Sequence, residues 1–157
     1  MGYASIFNDV IGPVMRGPSS SHIAAASRMG QLIRMSTQEP ITRVTVGFDP
    51  RSSLATTHDG QGSDLVSGLL GIPLEDPRIG SSFRQAEEKG MQVQYIIEDY
   101  QNDHPNYYHI AVETADTRHA WEAISTGGGM IQVQKVDGAA NPLEGAEFTL
   151  TGSKGTT

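Results

Sequence analysis

The 157-residue chain has no cysteine. It therefore cannot form a disulfide, carry out thiol catalysis, or offer thiolates to zinc or to an iron–sulfur cluster, and any such centre must belong to another chain. Long apolar runs are missing too. No stretch approaches the roughly 18 residues that a spanning helix needs, and the first residues are not a basic segment followed by an apolar one. That pattern reads as a soluble, cytoplasmic protein with no membrane partner. Positive charge is scarce, with 11 Lys and Arg against 18 Asp and Glu and a formal net charge of −7. Such a surface repels nucleic-acid phosphates and anionic lipids. Arg28, Arg34 and Arg43 are scattered and have no aromatic platform beside them, so no nucleic-acid partner is expected.

What is present is turn chemistry and apolar periodicity. Eighteen glycines and eight prolines imply many tight turns, and 37% hydrophobic residues suffice for one core. The sequence predicts a single domain over residues 1–150 and a frayed tail over 151–157. In "HIAAASRMGQLIRM", Ala25, Ala26, Met29, Leu32 and Ile33 recur at three-to-four spacing and predict a helix, with the preceding serines offering capping oxygens. Gly30 costs about 1 kcal/mol in its middle, which implies close packing against another element. "ITRVTVGF" alternates through Thr42, Val44, Val46 and Phe48 and is the best strand.

"THDGQGSD" reads as either a solvated loop or a site, with a short buried helix starting near Ser63 or Asp64 and turning Leu65, Val66, Leu69 and Leu70 inward. A second long helix begins at Asp76 as cap and Pro77 in the first turn. It has Ile79, Phe83 and Ala86 on its inner face and stops at Gly90. Strands follow. Met91, Val93, Tyr95 and Ile97 form one inner row, Tyr108, Ile110 and Val112 a second, and His119, Trp121 and Ala123 a third. After a "TGGG" turn comes a last strand with Ile131 and Val133 buried. "YASIFNDVI" at the start alternates apolar and polar residues, and "AEFTL" is the one ordered piece expected beyond Pro142. Helices and strands mix without regular alternation, so the fold class is α+β, with two main helices packed on a mixed or antiparallel sheet.

Three clusters could carry chemistry. Ser19, Ser20 and Ser21 precede His22 where a helix begins, and free N–H groups there favour an anion such as a substrate carboxylate; equally, one serine caps the helix and the others are polar filler. His58, Asp59, Gln61 and Asp64 stand among glycines that allow close backbone approach, or form a solvated turn and a cap. Asn106 follows His104 and Pro105 in a stiff loop that could hold a polar ligand or be an ordinary polar loop. "TGGGM" could cradle an anion but lacks the sequel of a phosphate loop, and a plain turn explains it. Five histidines spread from position 22 to 119 give no metal-ligand cassette, so no metal site is expected on this chain.

"SIFNDVIGPVMRGPSSSH", "THDGQGSD" followed by "LLG", "DHPN" and "AISTGGGMIQVQKVDG" resemble, in this order, the β chain or β domain of bacterial iron–sulfur-dependent L-serine dehydratases. The resemblance spans residues 5 to about 138, and "GPSSSH" is its most specific element. It implies a fold like the allosteric substrate-binding domain of some phosphoglycerate dehydrogenases. It also implies a component of a lyase that dehydrates and deaminates L-serine to pyruvate and ammonia, inactive alone and expected to form a homo-oligomer. A [4Fe–4S] cluster would sit on the cysteines of a larger α component, and no pyridoxal phosphate is used.

On these grounds Ser21, His22 and His58 are expected to act in catalysis, and Ser19, Ser20, Asn106, Asp64 and Gln61 to bind substrate. Two departures matter. Ile23 replaces the threonine usual after the motif histidine, and Gln61 replaces the histidine of the family's "GHGTD". Glutamine cannot act as a base near neutral pH, so a non-catalytic amino-acid-binding or regulatory domain is the alternative. The small ACT domain that often follows is missing after the glycine motif, which fits a naturally short chain or a fragment of a longer one.

Overall fold

A computed structural model describes residues 20–56 and 58–136. "YASIFNDVI", Ser19 and "AEFTL" lie outside the described residues, as do the side chains of Ser20, His58, Asp59 and Gln61. The element order is α1 (Ser20–Ser36), β1 (Arg43–Phe48), α2 (His58–Leu70), α3 (Ser82–Glu88), β2 (Gln92–Ile97), β3 (Tyr107–Glu113), β4 (Arg118–Gly127) and β5 (Met130–Val136). The strands form one mixed sheet in the order β2-β1-β3-β4-β5, with β1 and β2 parallel and the other neighbours antiparallel. The parallel pair requires a long crossover, and α2 and α3 supply it. This is the α+β architecture that the sequence predicts. None of the described helices is long and apolar enough to cross a membrane.

Alternation decides which face of the sheet is covered. Val44, Val46 and Phe48 of β1, Tyr108, Ile110 and Val112 of β3, and Trp121 and Ala123 of β4 point to one side. All are buried, together with Ala25, Ala26, Met29 and Ile33 of α1 and Leu65, Val66 and Leu69 of α2. Glycine sets how the two long helices meet. A Cβ on Gly30 would lie 2.2 Å from the Leu65 carbonyl oxygen, and one on Gly68 would lie 2.1 Å from that of Ser27. Backbone therefore touches backbone, as the mid-helix glycine implies. Ser27 lies against Gly68 and Arg34 against Gly71, so α1 and α2 run side by side in the same direction.

Several expectations are corrected. The helix predicted from Ser63 or Asp64 begins at His58, so most of "THDGQGSD" is helix rather than loop. Residues 64–69 are buried against the core, and extending a helix already nucleated there offsets the roughly 1 kcal/mol that each of Gly60 and Gly62 costs. The second long helix is instead a 3-10 turn, Pro77–Ser81, followed by the short α3. Its ends are as expected: the Asp76 carboxylate accepts from the Arg78 N–H at 2.9 Å, and Gly90 has φ +76°.

Phe83 and Ile97, placed inward by pattern, are 40% and 55% exposed. β2 is an edge strand and the seven-residue α3 covers it only as far as Tyr95, whose ring lies between Phe48 and Phe83 at centroid distances of 6.2 and 6.0 Å. Ile131 and Val133, on the opposite edge strand, are partly rather than fully buried for the same reason. Leu70, at the last turn of α2, is also only partly covered.

Candidate functional site

β1 leads through residues 49–57, which include a 3-10 turn at Ser53–Thr56, into α2, so the first turn of α2 lies at the carboxyl end of β1. Because α1 parallels α2, its first turn lies at that end too. The antiparallel register brings the start of β3 and the β4–β5 turn to the same place. Arg28 of α1 reaches that turn, its Nη1 donating to the Gly129 carbonyl at 2.8 Å. Gly128 and Gly129 have φ of +59° and +75°, the pair of left-handed residues that a two-residue hairpin loop demands. Ser21 and His22, partly buried in the first turn of α1, thus share one end of the molecule with the first turns of α2, with Asn106 and with the glycine turn. His58 and Gln61 occupy α2 at that end by backbone position.

The loop that delivers Asn106 is held in two places. Asp49, at the end of β1, has a fully buried side chain. Its carboxylate accepts from the backbone N–H and guanidinium of Arg51 at 2.8–2.9 Å, and from the N–H groups of Tyr100 and Asn102 at 3.0 and 3.3 Å. The hydrogen bonds from Arg51 hold the Asp49 carboxyl well below the usual carboxylate range, with burial opposing them. Further along, the Pro105 carbonyl accepts from the hydroxyls of Ser52 and Ser53 at 2.7 and 2.9 Å and from the Ser53 N–H at 3.1 Å. The Asn106 N–H donates to His104 Nδ1 at 3.1 Å. Tyr100 folds over Gly47 on the outer face of the sheet and stacks on His109 with centroids 4.7 Å apart. Burial, helped by the Glu98 carboxylate, pushes the Tyr100 hydroxyl up to about 12.

Beneath the helix starts lies a buried polar group. Asp64 of α2 is only 5% exposed. Its charge acts on the Tyr108 phenol, whose pKa is raised first by burial and then by Asp64, so that Tyr108 remains a neutral hydroxyl. Ser125 of β4 is buried, and its Oγ has no hydrogen-bond partner among the described residues, while its N–H donates to the Asn106 carbonyl at 3.1 Å. A buried hydroxyl without a partner costs stability, and Ser27, Thr37 and Trp121 carry buried polar atoms of the same kind. Ser125 and Arg28 were not singled out by spacing. The "ISTGGG" run drew attention to its glycines, and only the pairing of β4 with β5 shows that the serine before them faces inward.

The donor set bears on a metal. The chain has no cysteine, and among the described residues no three His, Asp or Glu side chains gather closely enough to hold a metal ion. The residues described do not fit a cluster of their own. The arrangement suits instead the binding of a small polar molecule at two helix starts, where the positive ends of the helix dipoles favour its anionic end.

No protein-family model matches the chain. It is 37% identical over 147 residues to the probable L-serine dehydratase, beta chain, of Bacillus subtilis (strain 168), covering 92% of this chain and 66% of that protein. It is 31% identical over 146 residues to the L-serine dehydratase, beta chain, of Peptoniphilus asaccharolyticus, covering 90% and 65%. The chain thus spans just under two thirds of the length of these curated relatives. With nine tenths of its residues aligned to both, and the serine, "HPN" and glycine motifs inside the aligned length, the chain belongs to the L-serine dehydratase β-chain family.

Proposed function

We propose that this chain is the β component of an enzyme that dehydrates and deaminates L-serine to pyruvate and ammonia, completed by an α component that carries a [4Fe–4S] cluster. The observation that supports this most is the gathering of the first turns of α1 and α2, Asn106 and the glycine turn at one end of the sheet. In this reading the substrate carboxylate lies at the helix starts, received by N–H groups and by the hydroxyls of Ser19, Ser20 and Ser21. His22, Ser21 and His58 bear on the α-proton, which must leave before or with the β-hydroxyl. Asn106 and Gln61 orient the amino acid, Asp64 faces its ammonium group, and the unsatisfied Ser125 hydroxyl offers a further hydrogen bond. Loss of water gives an enamine, which becomes an imine and hydrolyses to pyruvate and ammonia. The cluster belongs on the partner because this chain has no thiolate for it, and pyridoxal phosphate has no part.

The decisive experiment is anaerobic reconstitution with the cluster-bearing α component, followed by measurement of pyruvate formation from L-serine. Turnover that falls at least about a hundredfold in His22→Ala, in the range that a lost general acid or base costs, supports the reading. An intact cluster with no turnover of L-serine or L-threonine overturns it. Gln61, standing where the resemblance expects a histidine, favours one alternative, a non-catalytic amino-acid-binding domain. Serine binding without pyruvate formation would identify that case.

A further inference from the structure

Residues 98–106 pass from β2 over the end of β1 to β3 and deliver Asn106 to the candidate site. One side chain of this loop, that of Tyr100, turns to the side of the sheet away from the helices, where Gly47 leaves a slot for it. A Cβ on Gly47 would lie 2.6 Å from Cζ and 2.8 Å from Cε2 of the Tyr100 ring, so the ring rests on bare strand backbone. Two side chains of β3 on the same face brace it. His109 stacks on it, with centroids 4.7 Å apart and planes 17° apart, and Tyr107 meets it at 5.7 Å and 48°. The phenol donates to the Glu98 carboxylate at 3.3 Å. Tyr107 is 1% exposed and directly follows Asn106, so the Tyr100 ring bears on the chain right beside the candidate substrate group. We propose that Tyr100 is a positioning residue for Asn106, with Gly47 as its seat. This rests on the functional reading above for the role of Asn106, but not for the hold on it.

Hydrogen bonds at alternate residues carry that hold along the loop. The N–H groups of Tyr100 and Asn102 both donate to Asp49 Oδ2, that of His104 donates to Asn102 Oδ1 at 2.9 Å, and that of Asn106 donates to His104 Nδ1. The Asn106 carbonyl in turn accepts from the Ser125 N–H. Between the two amides that share one carboxylate oxygen, Gln101 has φ +56°, the one non-glycine residue at positive φ among the described residues. Such a backbone persists only where its surroundings over-determine it. Asp49 restrains the loop from the end of β1, and the Tyr100 ring restrains it from the outer face. Without the ring, Gln101 can relax to negative φ, which parts the paired bonds to Asp49 and re-aims every residue as far as Asn106.

The test compares Tyr100→Ala, Gly47→Ala and Tyr100→Phe. Hydrogen exchange of the Asn106 and Ser125 amides is measured in the full chain, and serine kinetics in the complex reconstituted with the cluster-bearing α component. Tyr100→Phe keeps the ring and loses only the bond to Glu98, so it should match wild type. Tyr100→Ala and Gly47→Ala should speed both exchanges about tenfold or more. They should also raise KM for L-serine about fivefold or more with kcat changed less than about threefold, as loss of an orienting hydrogen bond does. Neither should raise KM further in an Asn106→Ala background, because Tyr100 acts through Asn106. A residue that merely stabilised the fold would not show that dependence. Gly47→Ala, which removes no side chain, carries the test if Tyr100→Ala fails to fold. Exchange unchanged at Asn106 and Ser125, or KM effects that add to that of Asn106→Ala, would overturn the proposal. A wild-type complex with an intact cluster and no serine turnover would overturn the proposed function instead, and amide exchange would still decide the hold on Asn106.

Discussion

α1 with α2, and α3 with the turn before it, build the helical layer over one face of the sheet by opposite means, the turn itself packing Ile79 against Ile23, Ala24 and Leu74. The first pair meets backbone to backbone through Gly30 and Gly68, leaving no room for a single added carbon. The second packs through side chains, with Ile79 and Ala86 buried, Phe83 half out in solvent, and open space beside Gly80. A seam of backbone fixes the relative height of two helices, whereas side chains can repack when a neighbour changes. The fixed seam belongs to the helices whose starts form the candidate site. The adjustable packing belongs to the crossover, which has only to return the chain to β2.

The comparison breaks most visibly at the seam. Gly30→Val or Gly68→Val should cost about 3 kcal/mol or more, read as a drop in the urea midpoint, because the colliding atoms are backbone and cannot turn aside. If either variant is as stable as wild type, the seam is not rigid.

Next comes the Asp49 clasp. Its carboxyl is held below the usual 3.8 in the folded chain, so the unfolded chain binds the extra proton. Its stabilisation is therefore complete above the ordinary carboxylate range and fades as pH falls through it toward the folded value. Asp49→Asn should flatten the fall in stability between about pH 5 and pH 2, as measured by denaturation at each pH. An unchanged slope would mean that other carboxylates carry it.

Smaller still is Gly128→Ala, where the positive φ makes a side chain cost about 1 kcal/mol. Thermal melting would register it as a few degrees, and no change would argue that the turn relaxes. Gly80→Ala should be neutral within about 0.5 kcal/mol, since nothing lies within 4 Å of the added carbon. A large loss there would erase the contrast between seam and crossover.

The sequence made the alternating strands legible because Val44, Val46 and Phe48, and likewise Tyr108, Ile110 and Val112, face a helix layer along their whole length. It misled at Phe83 and Ile97 because periodicity tells which side a residue faces and not whether cover extends that far. The start of α2 was hidden by Gly60 and Gly62, whose propensity cost is overridden by burial that begins at Asp64. For the candidate site, the serine motif, His58, Asn106 and the glycine turn could each be named from sequence. Their meeting at one end could not, because it depends on strand directions that local spacing does not encode. Ser125 illustrates the remainder, since an unsatisfied hydroxyl becomes visible only once its neighbours are known.

β1 occupies an interior position of the sheet, yet its partners arrive late: Arg43 pairs with Gln92 on one side and with Glu113 on the other. β3, β4 and β5, by contrast, join by short turns and can zip up as a local meander. During synthesis, then, the first of the described strands must wait more than sixty residues for its second neighbour. The rate at which this domain forms is set by long loop closures onto a waiting strand rather than by its hairpins.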